Sequence, residues 1–292
     1  MRDSINLWLL GARPKTLPAA VAPVAVGAAC ANVVETTKEN WSNAFFALMV
    51  SVALQVAVNY ANDYSDGVRG TDKDRVGPLR LVGSGSKSPA AVKRATFYAF
   101  GVAAVFGLIL AASASWWLLL VGIACFLAGW FYTGGTNPYG YLGLGEVFVF
   151  IFFGVVATTG TTFVVAQEIT MVSFLASVAV GCLACALLAV NNLRDIAGDT
   201  IANKRTLAVR LGERRARKFY VSLFFVAAIA IILVSTSHRS ASIGMLGFIT
   251  AIKPIKRVAN GATGKELVEV LVLTGRVQIL VAVALSVGLI VG

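Results

Sequence analysis

Long apolar segments alternate with short polar ones along the whole chain. Nine of the apolar segments approach the roughly 20 residues that an α-helix needs to cross the hydrocarbon core of a bilayer. They are Leu17–Val33, Asn43–Tyr60, Ala91–Ala112, Trp117–Tyr132, Gly145–Ala166, Met171–Val190, Phe219–Val234, Ser240–Ile252 and Leu267–Ile290. The pattern predicts an all-α polytopic membrane protein with about nine transmembrane helices, of which the eighth is the shortest.

The composition excludes a soluble protein. The 292 residues are 58% hydrophobic and 13% charged, whereas soluble domains are roughly 45–50% apolar and about 25% charged. The first apolar segment follows Arg13 and Lys15 and contains two prolines, and apolar segments continue throughout the chain, so we expect no cleaved signal peptide. The chain therefore reads as one transmembrane domain over residues 1–292.

The basic residues predict the orientation in the membrane. Of 25 lysines and arginines, 22 lie in the N-terminal segment and in the loops after the second, sixth and eighth spans. The alternate loops hold only Lys38 and Arg239, and Arg276 lies within the last span, where an arginine is costly unless it is paired or near the interface. This asymmetry places the N-terminus and the basic loops in the cytoplasm and the C-terminus outside. It also explains the net charge of +11 without a nucleic-acid partner.

The acidic residues form an internal repeat. Of fourteen, four follow the second span (Asp63, Asp66, Asp72 and Asp74), and Asp195 and Asp199 follow the sixth. Each group begins with an asparagine that stands four residues before an aspartate. Asn62 precedes Asp66 in the first group, and Asn191 precedes Asp195 in the second. The repeat divides the domain into two related halves, at about residues 1–135 and 136–292.

The spacing of the two groups suggests metal chemistry. Residues four apart share one face of a helix, so Asn62 points with Asp66, and Asn191 with Asp195 and Asp199. Two facing clusters of oxygen ligands suit Mg²⁺, which binds a few carboxylates together with water and substrate phosphate oxygens. Basic residues beside them would bind the remaining phosphate charge; they are Arg75, Arg80, Lys204 and Arg205. The alternative is ordinary solvated loop charge, which two matching copies in a chain with few acids make the weaker interpretation.

Three long strings carry a family resemblance: NYANDYSDGVRGTDKDRVGPLRLVGSG (59–85), PYGYLGLGEVFVFIFFG (138–154) and NNLRDIAGDTIANKRTLAVRLG (191–212). The chain resembles the UbiA superfamily of intramembrane prenyltransferases over nearly its whole length, and within it the 1,4-dihydroxy-2-naphthoate polyprenyltransferase branch. The resemblance implies helices around a central cavity that opens to the cytoplasm. It also implies Mg²⁺-dependent transfer of a polyprenyl group from polyprenyl diphosphate to dihydroxynaphthoate with loss of the carboxylate, giving demethylmenaquinone.

Site residues follow from the same resemblance. It implies that Asn62, Asp66 and Asp72 serve one Mg²⁺, and that Asn191, Asp195 and Asp199 serve the other. Asp72 stands six residues after Asp66, a spacing that is usual in the naphthoate branch, so it would return to the site on a loop. Thr136 and Asn137 occupy positions where relatives commonly carry basic residues, which removes a cationic contact expected there.

Several other residues have two interpretations. Tyr132, Tyr139 and Tyr141 would shield an allylic cation with their ring faces, or form part of an interfacial aromatic belt. Arg13 and Lys15 would reach the carboxylate of the acceptor, or only reflect the membrane topology. Glu146 is an acceptor-site group or an acid favoured by a helix N-terminus.

Two alternatives for the function stay open. Another aromatic acceptor, such as 4-hydroxybenzoate, would need the same donor site. An ion-coupled transporter would place ionisable residues near the membrane midplane, often beside broken helices, whereas nearly all the acids here lie at span ends. The sequence leaves the length of the prenyl chain and the oligomeric state open.

Overall fold

A computed structural model describes residues 2–36, 39–71 and 79–292, with side chains from residue 5 onward. All regular secondary structure in these ranges is helical. The α-helices are α1 (Arg2–Ala12), α2 (Pro18–Asn32), α3 (Ser42–Arg69), α4 (Pro89–Ser113), α5 (Leu118–Phe131), α6 (Gly145–Val149), α7 (Ala157–Ala166), α8 (Met171–Ile201), α9 (Leu207–Leu211), α10 (Glu213–Ser237), α11 (Ile252–Ala259) and α12 (Gly264–Val291). The predicted site residues Asp72 and Arg75, with Asp74 and Lys38, lie outside the described residues.

Six of the predicted spans correspond to helices that are long and apolar enough to cross a bilayer. They are α3, α4, the continuous helix Gly145–Ala166, α8, α10 and α12. The pair Ile5–Thr16 and Pro18–Asn32, bent by 54°, forms a seventh if it is taken as one span. The all-α membrane architecture is therefore confirmed. The helix α5, with 14 residues, is shorter than these spans. The segment 239–259 is divided between two shorter helices of different type and is not one of the six.

The two helices that carry the acidic repeat are longer than predicted. The second span was expected to end at Tyr60, but α3 continues for more than two turns to Arg69. The sixth was expected to end at Val190, but α8 continues to Ile201. Asp63 and Asp66 therefore lie on α3, and Asp195 and Asp199 lie on α8. The ends predicted for these two spans are wrong, because the polar side chains beyond them contact other parts of the bundle and the helices do not stop at the apolar boundary.

The helix Gly145–Ala166 contains one irregular segment, Phe150–Val156, with π-helical hydrogen bonds. A Cβ at Gly154 would lie only 2.6 Å from the Cα of Gly181, so this helix and α8 cross at backbone contact. Only glycine permits such an approach, which brings one wall of the interior close to α8.

The short eighth span gains length from its helix type. Residues Arg239–Ala251 form a 3₁₀-helix, which rises about 2.0 Å per residue and therefore spans about 26 Å. The helix α11 continues it for about 12 Å. Glycines along this segment pack antiparallel to α12, with Gly247 against Val281 and Gly244 against Leu285. It therefore runs along much of α12 with fewer residues than an α-helix would need.

Candidate active site

A cavity of about 670 Å³ lies inside the helix bundle. Its polar lining residues are concentrated at one end and include Asn62 of α3 and both Asn191 and Arg194 of α8. The rest of the wall is mainly apolar and follows α3 down to Ala47. At 1.5 Å per residue, Ala47 and Asn62 are about 22 Å apart along the helix. The shape suits a ligand with a charged head and a long apolar tail.

The two halves of the repeat meet through Lys204. Its Nζ lies 3.3 Å from Oδ2 of Asp66 and 4.0 Å from Oδ1 of Asp199. Asp66 belongs to α3 and Asp199 to α8. The ammonium group of Lys204 therefore contacts both helices, although the two aspartates are far apart in the sequence. The structure therefore places both acidic motifs at the same end of the bundle.

Within the first motif, Asn62 and Asp66 lie one turn apart on α3. Thr133 Oγ1 donates to Asn62 Oδ1 at 2.8 Å, and Tyr141 Oη donates to Asp66 Oδ1 at 2.7 Å. Burial, together with the neighbouring Asp66 carboxylate, raises the pKa of the Tyr141 hydroxyl above its ordinary value. Tyr141 therefore keeps its proton and donates a hydrogen bond to Asp66 over the whole physiological pH range.

Arg194 organises the second motif. Its Nε and Nη2 donate to the two carboxylate oxygens of Asp195, both at 2.7 Å, and Nη2 also donates to Asn191 Oδ1 at 2.8 Å. The side chain is almost completely buried. Sequence reasoning missed this residue, because neighbouring positions on a helix are not expected to face each other. The signal available was an arginine inside an otherwise acidic and amide-rich motif.

The cluster has the chemistry of a cation site. Lys204 and Arg194 already hold positive charge against its carboxylates, and its acceptor atoms are carboxylate oxygens of aspartates and amide oxygens of asparagines. Across the described ranges, no group of three or more histidine, cysteine or acidic side chains converges as a metal site would require. Such a sparse oxygen set fits a hard divalent cation that takes further ligands from substrate phosphate.

Asp63 does not join this cluster. It is completely buried and accepts hydrogen bonds from the backbone N–H groups of Leu81, at 2.8 Å, and Val82, at 2.9 Å. These bonds fix the segment after residue 79 against α3. Arg80, in the same segment, lines the cavity.

Aromatic rings form one wall of the cavity. Tyr139 stacks on Phe148 with ring centroids 3.9 Å apart and lies 5.5 Å from Tyr132. Phe148 in turn lies 6.1 Å from Phe152, and all four rings line the cavity. Tyr139 donates to the carbonyl of Ala128 at 2.8 Å, and burial raises the pKa of its hydroxyl. The structure thus places Tyr132 and Tyr139 inside the bundle rather than in an outer belt.

Arg69 supplies a cation near the loop where Thr136 and Asn137 replace the expected basic residues. Both of these are exposed. Arg69, at the end of α3, donates to the carbonyl oxygens of Thr133 and Gly135. Its guanidinium carbon lies 5.1 Å from the ring centroid of Tyr141, and Lys204 Nζ lies 5.0 Å from the same centroid. Sequence reasoning missed Arg69 because it is distant from this loop in the chain.

Asn59 attaches the N-terminal segment to α3. Its Nδ2 donates to the carbonyl of Ala12 at 2.9 Å and to Thr16 Oγ1 at 3.1 Å. Arg13 Nη2 donates to the carbonyl of Asn59 at 3.3 Å. These contacts hold Arg13 and Lys15 in the cavity wall.

Other predicted residues lie further away. Glu146 is buried in the first turn of α6, outside the cavity lining, and accepts a hydrogen bond from Asn192 Nδ2 at 3.0 Å. Arg205 is exposed. Arg276 is exposed on α12 and shares a second groove with Lys15.

Comparisons with known proteins agree over most of the chain. The profile of the UbiA prenyltransferase family matches residues 20–264. A 1,4-dihydroxy-2-naphthoate octaprenyltransferase of Mycobacterium tuberculosis is 44% identical over 283 residues, covering 97% of this chain and 96% of the relative. The enzyme of that name from Escherichia coli is 36% identical over 264 residues, covering 86% and 83%.

A solved structure shares the fold. It is a UbiA homologue from Archaeoglobus fulgidus bound to DMAPP and Mg²⁺, with a TM-score of 0.63 and 17% identity. The match covers 98% of this chain and 99% of the other.

Proposed function

Because the chain belongs to the UbiA prenyltransferase family, we infer that it transfers a polyprenyl group from polyprenyl diphosphate to 1,4-dihydroxy-2-naphthoate in menaquinone synthesis. The observation that carries this inference is the cavity. Its charged end is lined by Asn62 and Asn191 of the two acidic motifs and by Arg194, and its apolar wall follows α3 for about 22 Å. The relatives with 44% and 36% identity bear the name of this activity. An ion-coupled transporter is excluded as the primary function by the family.

We propose that two Mg²⁺ ions bind at the charged end, one with Asn62, Asp66 and Asp72 and the other with Asn191, Asp195 and Asp199. Mg²⁺ bound there would neutralise charge on the diphosphate leaving group. The oxygen-only ligands support the choice of metal, as does the Mg²⁺ bound to the A. fulgidus homologue.

The basic residues of the site then have a role in binding the donor. Lys204 and Arg194 are held by carboxylates that the metal ions would share. Their charges therefore lie where a diphosphate would approach, and charge-assisted hydrogen bonds from them would hold its oxygens. We assign the same role to Arg75, Arg80 and Arg205.

The reaction itself needs no covalent enzyme intermediate. The bond between the allylic carbon and the diphosphate oxygen breaks, and the oxygen keeps the electron pair. Faces of Tyr132 and Tyr139 shield the allylic cation. The naphthoate ring then attacks through the carbon that bears its carboxylate. That group leaves as CO₂, and its bonding electrons return to the ring.

We assign acceptor binding to the part of the cavity wall that Arg13 and Lys15 form. Arg13 and Lys15, which the Asn59 contacts hold in the cavity wall, are placed to attract the acceptor carboxylate before it leaves. Glu146 acts through Asn192, the neighbour of the metal ligand Asn191. We further propose nine spans, with the cavity open to the cytoplasm and the C-terminus outside.

The test is an assay of the purified enzyme in lipid with octaprenyl diphosphate and radiolabelled acceptors. We expect product with dihydroxynaphthoate, release of its carboxylate as CO₂, loss of activity with EDTA and recovery with Mg²⁺. Product only with 4-hydroxybenzoate would assign the chain to the other acceptor.

The metal ligands are tested in the same assay. Asp66→Asn and Asp195→Asn should each reduce turnover by about 100-fold or more, as loss of a major charge-stabilising group does. Glu168→Gln, which removes an exposed carboxylate between α7 and α8, is the matched control. Turnover like that of the wild type in either aspartate variant would refute the metal assignment.

A further inference from the structure

A second groove lies on the outer surface of the bundle, between the start of α2 and the middle of α12. Its volume is about 440 Å³. Its cationic lining residues are Lys15 and Arg276, and the rest of the lining is apolar or glycine, including Pro18, Gly275 and Ile279. We propose that this groove binds the phosphate group of an anionic phospholipid, with Arg276 and Lys15 as the ligands. Lys15 also lines the cavity, whereas Arg276 lies outside the cavity lining. Arg276 therefore carries this proposal independently of the proposed catalytic function.

No described residue provides a counter-ion for the two charges in the groove. Arg276 and Lys15 are both exposed, and neither forms a hydrogen bond or ion pair with any residue in the described ranges. None of the residues that line the groove is acidic. An arginine within an apolar membrane helix is costly unless an anion accompanies it. Because no described residue supplies an anion here, we infer that the anion comes from the surroundings.

The groove lies close to the charged end of the bundle. A Cβ at Gly275 would lie 3.3 Å from Pro18, 3.5 Å from the Lys15 carbonyl oxygen and 3.8 Å from Leu187. Leu187 precedes Asn191 of the acidic motif by one turn of α8, about 6 Å. Arg276 therefore lies just inside the charged end of the bundle rather than at the middle of the membrane.

The apolar part of the groove selects a lipid over a soluble anion. Ile279 and Leu280 follow Arg276 by three and four positions, so they share its face of α12 one turn further along the helix. They continue away from the charged end, in the direction that an acyl chain takes below its headgroup. Free phosphate would gain nothing from these side chains, and a soluble acidic peptide would have to enter the bilayer to reach Arg276.

The test measures lipid retention by the full-length protein. The protein is reconstituted in nanodiscs of mixed phosphatidylglycerol and phosphatidylcholine, released into mild detergent and examined by native mass spectrometry. We expect wild type to retain one phosphatidylglycerol in preference to phosphatidylcholine. Arg276→Gln should weaken that retention by about tenfold or more, as expected for the loss of a charge-assisted hydrogen bond. Arg276→Lys should restore part of it.

The matched control is Lys265→Gln, which removes an exposed positive charge from the same helix outside the groove. Equal retention by wild type and Arg276→Gln, or equal loss in Lys265→Gln, would overturn the proposal. Displacement of the lipid by inorganic phosphate would overturn the choice of a phospholipid. If Arg276→Gln does not give a monodisperse protein, Arg276→Ala provides the same comparison.

Discussion

At the scale of single residues, basic side chains form ion pairs with the carboxylates of both acidic motifs. Lys204 lies between Asp66 and Asp199, and Arg194 holds Asp195. Three carboxylates at one end of the bundle repel one another less when cations lie among them. These lysine and arginine contacts thus stabilise the site in the absence of metal.

Lys204→Ala tests the donor side of the site. We expect apparent affinity for both polyprenyl diphosphate and inorganic diphosphate to fall by about tenfold or more, because a charge-assisted contact to phosphate is lost. The KM for dihydroxynaphthoate should hardly change. Arg205→Ala should have a smaller effect, because Arg205 is exposed whereas Lys204 contacts Asp66.

The control is Lys218→Ala, at an exposed position near the start of α10. Normal donor affinity with weakened acceptor affinity in Lys204→Ala would mean that the two substrates bind on the opposite sides of the cavity from those proposed.

At the scale of elements, Asp63 links α3 to the segment that carries Arg80. In Asp63→Asn one acceptor oxygen becomes an NH₂ group that faces a backbone N–H, so a buried donor is left unsatisfied. The expected loss of stability is about 1–3 kcal/mol, measured as a lower midpoint in thermal unfolding in detergent. Glu168→Gln removes the same charge at an exposed site and should leave the midpoint unchanged. An unchanged midpoint in Asp63→Asn would show that the two backbone bonds do not hold the segment.

The helix α4 offers a test of the apolar part of the cavity. Gly107 lines the cavity and a Cβ there would meet no atom within 4 Å, so Gly107→Leu should fill space without disturbing the helix. We expect KM for octaprenyl diphosphate to rise by about tenfold, the range that overpacking typically costs, while geranyl diphosphate is less affected.

Gly101→Leu is the matched control, since Gly101 lies on the same helix, also meets nothing within 4 Å and is outside the lining. Equal effects on both donors, or an equal effect of Gly101→Leu, would mean that the prenyl chain does not pass Gly107.

At the scale of the whole molecule, the last three long segments separate the charged end from the C-terminus. Arg217 of α10 donates to the carbonyls of Val258 and Ala262, near the start of α12. At the other end of α12, a Cβ at Gly288 would meet the carbonyl of Ser240. Gly292 therefore lies at the far end of the bundle from Arg217.

Reporter fusions test the resulting topology. Fusions after Gly85 and after Ala202 should both report the cytoplasm, and a fusion at Gly292 should report the outside, because 22 basic residues set the orientation. A fusion within an apolar span serves as the control for insertion. If the first two fusions reported opposite sides, the shared metal site would be impossible.

The sequence by itself determined the helical membrane architecture, the positions of most helices and the pairing of Asn62 with Asp66 on one face, because these depend on local hydrophobicity and helical periodicity. It also identified the family, because the motif strings are long. It placed the end of α3 and α8 too early, since hydropathy does not register polar residues that are buried by other helices.

Only the tertiary structure decided which partner each polar group takes. Asp63 and Asp66 are three residues apart and chemically identical, yet Asp63 binds backbone amides near Leu81 and Asp66 meets Lys204 and Tyr141. The contacts of Arg69 with the 133–135 loop, and of Lys204 with both motifs, join residues distant in the chain. The eighth segment is a 3₁₀-helix whose glycines pack against α12, a contact between segments distant in the chain. Such contacts are set by how helices assemble, and local sequence patterns do not encode that assembly.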